Sequence, residues 1–93
     1  MEADRPVLAF FTGDFCGPSR MIADLLALDD PVFDRLKVVE IDVEKCPRNS
    51  FELQIKGTPT LMLINEGQPK ASRIGTQTED EFFEWIEVEL KKL

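Results

Sequence analysis

Residues 10–21 read FFTGDFCGPSRM. The apolar run VLAFF (7–11) opens after Pro6 and is bounded by Thr12-Gly13-Asp14, which predicts a short strand buried on both faces. Pro18 then stands near the first turn of a helix, where its missing N–H costs nothing. Ile22, Leu25 and Leu26, with Met21 beside them, follow as an apolar stripe at helical spacing. The stretch therefore reads as strand, tight corner and helix, with Cys16 at the junction. A cysteine at a helix start faces unsatisfied backbone N–H groups and the positive end of the helix dipole. Both favour thiolate over thiol, lowering the pKa from its ordinary value of ~8.5. The flanking Gly17-Pro18 keep the corner open, so Cys16 reads as a reactive thiol rather than an inert core residue.

Outward from that corner, Asp29-Asp30-Pro31 interrupt the helix, and VFDRL resumes as a further turn. KVVEIDVE (37–44) predicts a strand with Glu40 flanked by apolar residues, and a short helix is expected over Asn49–Gln54 after Pro47. Two extended runs, 60–65 and 70–75, are separated by Glu66-Gly67-Gln68, the pattern of a hairpin. Thr78 with Glu81 makes a capping box, and Phe82, Ile86, Leu90 and Leu93 form the buried stripe of a last helix. Lys91 and Lys92 in its final turn complement the dipole. The predicted order is β-α-β-α-β-β-α, an α/β domain over residues 1–93 with a central four-stranded mixed sheet flanked by helices.

Composition narrows the chemistry. The chain has 93 residues, 18 acidic against 11 basic, and a net charge of −7. This argues against a nucleic-acid partner, which clustered Lys and Arg would meet. No run approaches the ~20 apolar residues of a membrane span, and the acidic start MEADRP is unlike a secretory signal, so a cytoplasmic monomer is expected. With two cysteines and no histidine, neither a Cys/His metal site nor a histidine-based catalytic set is available. No metal and no cofactor are expected.

FFTGDFCGPSRM resembles the active-site segment of thioredoxins: an aromatic, Cys-Gly-Pro-Cys, a basic residue and Met. The likeness continues through IDVEKCP (41–47) and KGTPTLMLINEGQP (56–69), which resembles the family's cis-proline loop and hairpin. It covers Pro6 to Leu93 and lacks the leading strand and helix common in thioredoxins, so a shortened thioredoxin-like fold is implied. The resemblance implies a thiol–disulfide oxidoreductase acting on protein disulfides and recycled, in its two-thiol form, by a thioredoxin reductase with NADPH. Cys16 would be the nucleophile and Pro59 the cis-proline beside it. Thr58 and Gly75 would line the groove for an extended substrate, as in strand addition. Phe15, Pro59 and Met21 would supply apolar contact.

Four departures from the family pattern stand out. Ser19 replaces the resolving cysteine. Phe15 and Thr12 replace tryptophans. Phe10 occupies the place of the buried aspartate that moves protons, and Glu40 that of its lysine neighbour; Glu40 is expected to be buried and to stand in as the acid. Thiol–disulfide exchange needs a second thiol to release the mixed disulfide, and a serine hydroxyl cannot supply it. Ser19 is compatible with an engineered replacement that traps mixed disulfides or with a native monothiol protein. Two rival functions stay open: a glutathione-dependent monothiol enzyme, for which only Arg20 and Lys56 are suitably placed, and a non-enzymatic peptide-binding module. Cys46 falls where the family carries a non-catalytic cysteine, away from the nucleophile, and reads as a structural or regulatory thiol.

Overall fold

A strand with five apolar side chains in a row must be covered on both faces, and Val7–Thr12 (β1), apolar through Phe11, is placed accordingly. The computed structural model describes residues 5–13, 17–45 and 57–93. In it β1 lies inside a four-stranded sheet of order β2-β1-β3-β4, with β2 spanning Lys37–Asp42, β3 Thr60–Asn65 and β4 Gln68–Ile74. β1 pairs parallel with β2, bringing Phe10 opposite Glu40, and antiparallel with β3, bringing Phe10 opposite Leu61. β3 and β4 form the antiparallel hairpin. The sheet is mixed, as the sequence predicts.

Helix α1, Gly17–Leu26, follows the corner, and a 3-10 turn over Pro31–Arg35 leads into β2. The Asp30 carboxylate accepts from the Val32 N–H at 2.9 Å, capping that turn. Helix α2 covers Glu79–Lys91. Its capping box is complete: the Thr78 hydroxyl accepts from the Glu81 N–H at 3.2 Å, and the Thr78 N–H donates to Glu81 Oε1 at 3.0 Å.

One core lies between the sheet and these helices, built from Leu8, Phe10, Leu61 and Leu63 of the sheet with Ile22, Val32, Leu36, Phe82 and Ile86. Phe82 and Phe83 meet edge to face at 5.0 Å. The opposite face of the sheet holds a second cluster of Val7, Ala9, Phe11, Ile41, Met62 and Ile64.

Element boundaries depart from expectation in three places. β2 ends at Asp42, because its carboxylate accepts from the Glu44 and Lys45 N–H groups at 2.8 and 3.2 Å and turns the chain. β4 starts at Gln68, because Glu66 and Gly67, at φ 54° and 77°, complete a two-residue turn without it. Leu93 lies past the end of α2 and is exposed, so the buried stripe stops short of it. The helix expected over Asn49–Gln54 lies outside the described residues.

Candidate functional site

Gly13, directly after β1, packs on the loop before β3. At Gly13 a side chain would begin 3.4 Å from Thr58 Oγ1 and 3.8 Å from Val43 Cγ2. Glycine at this position therefore permits the close approach. The loop itself is closed by the Thr60 hydroxyl, which donates to the Gly57 carbonyl at 2.6 Å. The Thr58–Pro59 peptide bond is cis. Gly75, at the end of β4, donates its N–H to the Pro59 carbonyl at 2.9 Å. Its φ of +95° is a conformation that favours glycine, although nothing crowds its Cα. One cluster thus brings together Gly13, Thr58, Pro59 and Gly75, from segments well apart in the sequence.

The expected site residues fall into three groups. Thr58, Pro59 and Gly75 are brought together as described. Gly17 and Pro18 open α1 and are exposed, while Ser19 in the same turn is buried, at 4% exposure, with no hydrogen-bond partner for its hydroxyl among the described residues. Phe15, Cys16, Cys46 and Lys56 lie outside the described residues.

Two expectations are overturned. Glu40 is exposed rather than buried, because β2 is an outer strand and only Ile41 of its six residues is buried. It is no stand-in for a buried acid. Among the described residues the buried polar side chains are Ser19, Thr60 and Gln77, with no carboxylate among them. Phe10 at the family's aspartate position is itself core. Pro59 does not supply surface either: it is fully buried, tied down by Gly75 at the head of the buried run of β3. Among the described residues, Met21 in α1 and Ile74 next to Gly75 are exposed apolar side chains, at 54% and 58% exposure.

Two further residues gain significance from the structure. Gly13 has a sequence signal, a glycine closing a buried strand, but its contact with Thr58 joins residues 45 positions apart and is invisible to local pattern. Gln77 is 95% buried with both amide atoms unpartnered among the described residues, and nothing in its local sequence signals that. Among the described residues no group of three or more His, Cys, Asp or Glu side chains is arranged to hold a metal ion, and no helix is long and apolar enough to cross a membrane.

Comparison with known proteins agrees with this geometry. The Thioredoxin family model matches residues 1–88. The chain is 30% identical to a thioredoxin of Rickettsia prowazekii over 87 residues, covering 92% of this chain and 83% of that protein. It is 33% identical to a thioredoxin of Rhodospirillum rubrum over 88 residues, covering 94% and 85%. The crystal structure of Malassezia sympodialis thioredoxin superposes with a TM-score of 0.82 at 24% identity, covering 92% of this chain and 76% of that one, a likeness of fold.

Proposed function

Because this chain belongs to the thioredoxin family, whose members are thiol–disulfide oxidoreductases, we propose that it attacks protein disulfides through Cys16 and does not release them unaided. The Cys16 thiolate displaces one sulfur of the substrate disulfide. The substrate S–S bond breaks, a mixed disulfide with Cys16 forms, and the departing thiolate takes a proton from solvent. In a two-thiol relative the thiol at position 19, one helical turn on, would attack the Cys16 sulfur, form an intramolecular disulfide with it and expel the substrate as a thiolate. Ser19 has no sulfur to offer, so release falls to an external thiol. The substrate chain lies extended along Thr58 and Gly75, with Met21 and Ile74 as apolar contacts.

The observation that supports this reading best is the packing of the corner on the cis-proline loop, with Gly13 against Thr58 and Gly75 bonded to Pro59. Without that packing, the residue that follows β1 and the docking loop would be two unrelated motifs. The absence of a buried carboxylate among the described residues favours the same conclusion, since a proton carrier serves the release step that Ser19 lacks.

The test is turnover. The chain as it stands is expected to be almost inactive in a disulfide-reduction assay coupled to thioredoxin reductase and NADPH, while accumulating a mixed disulfide at Cys16 that mass spectrometry detects. Ser19→Cys is expected to restore multiple turnovers, partially, because Phe10 relays no proton. If Ser19→Cys stays inactive while the unchanged chain turns over with glutathione, the chain is a glutathione-dependent monothiol enzyme. If neither form reacts and Cys16→Ala binds the same peptides, it is a binding module.

A further inference from the structure

α2 and the outer strand β4 enclose a groove of about 320 Å³ lined by Arg73, Glu81, Glu84, Trp85 and Val88. None of these residues belongs to the cluster of Gly13, Thr58, Pro59 and Gly75. Its floor is apolar. Trp85, the only tryptophan in the chain, is half-buried against the core, and Val88 is 42% exposed. The buried stripe of α2 is already supplied by Phe82 and Ile86, so packing among the described residues does not account for an open β-branched side chain beside a tryptophan.

The rim carries a net negative charge, Glu81 and Glu84 against Arg73. Arg73 is committed to Glu81 at 4.0 Å, and Glu81 also closes the capping box. Along the rest of the helix, Glu87 pairs with Arg35 and Glu89 with Lys92. Glu84 has no ion pair among the described residues, and Asp80 one turn before it is exposed and equally unpaired. Asp80, Glu84 and Val88 follow one another at helical spacing on one face. A second copy of the chain is a poor occupant, since each copy carries a net charge of −7. Strand addition at the outer edge of β4 is also disfavoured, because Pro69 withdraws a donor and Lys70 guards the edge.

We infer that this groove docks a basic polypeptide segment, which lays an apolar side chain against Val88 and a lysine or arginine over the Trp85 ring beside Glu84. The complementarity is of charge and of shape: a cation near an indole face and a carboxylate gains from both.

Trp85 is its own reporter, so the experiment follows its fluorescence during titration with a short peptide of alternating lysine and valine. The expected result is a saturable emission change, with affinity falling roughly tenfold as salt rises from low to physiological strength. Glu84→Lys and Val88→Ser, both at exposed positions, are each expected to weaken binding by at least about threefold. An equal response to a peptide of alternating glutamate and valine would overturn the proposal, as would wild-type affinity in both variants. A signal that changes on diluting the protein alone would assign the groove to a second copy instead. Because Cys16 is not involved, the result is independent of the disulfide assay.

Discussion

The inner strands β1 and β3 and the outer strands β2 and β4 belong to one sheet, yet they follow different rules. Val7–Phe11 and Thr60–Ile64 are buried at every position, whereas β2 buries only Ile41 and β4 buries none. An inner strand has neighbours on both sides and a cluster on each face, so it tolerates only what packs. An outer strand has one neighbour and opens toward solvent, so Glu40 and Lys70 cost nothing there. Two residues directly opposite each other in the register, Phe10 and Glu40, therefore sit in unlike surroundings.

Placing a charge at the inner member of that pair should have the largest effect. Phe10→Asp, which introduces the family's aspartate, removes a large core side chain and buries an unpaired carboxylate. It is expected to cost at least about 4 kcal/mol in urea unfolding. A loss below about 1 kcal/mol would mean that the inner strand is less tightly enclosed than its burial indicates.

A smaller effect is expected at the edge of the same core, where α2 begins. Thr78→Ala should cost about 1 kcal/mol at neutral pH, through loss of the cap. Part of that difference should depend on pH. Hydrogen bonds from the Thr78 backbone, and then from its hydroxyl, hold the Glu81 carboxyl below the ordinary glutamate range. A depressed folded pKa gives stability that is present above the unfolded pKa and is lost as pH falls through the folded one. The gap between wild type and Thr78→Ala should therefore narrow in acid. Thermal melts from neutral to acid pH check this, and a gap that widens would contradict it.

The smallest effect belongs to the outer member of the pair. Glu40→Gln should change stability by less than about 0.5 kcal/mol and leave the rate of mixed-disulfide formation unchanged, as followed by stopped reaction and mass spectrometry. A slowed rate would return Glu40 to the chemistry.

These differences mark what the sequence alone can convey. VLAFF announces an inner strand because a continuous apolar run has no polar face to offer. Thr78 and Glu81 announce the start of α2 because both halves of a capping box are local. Gly67 announces the hairpin for the same reason. KVVEID is ambiguous: a glutamate among apolar residues reads alike on an inner strand and an outer one, and sheet order is set by pairings far along the chain. The approach of Gly13 to Thr58 and the burial of Ser19 and Gln77 are non-local too, and so are fixed by tertiary packing. The groove beside β4 joins residues of a strand and a helix, and the turn between the two, not either periodicity, decides that Arg73 meets Val88.

The order of strands has a consequence for synthesis. β1 leaves the ribosome before the rest of the sheet, with both of its edges and both of its faces unsatisfied. Its parallel partner β2 follows, but its other edge is filled only by β3, whose first residue lies 53 positions after the first residue of β1. Until Thr60–Asn65 has emerged, Val7–Phe11 is a bare strand with a hydrophobic side on each face. That segment is where a nascent chain stalled early would meet chaperones or other unfinished copies.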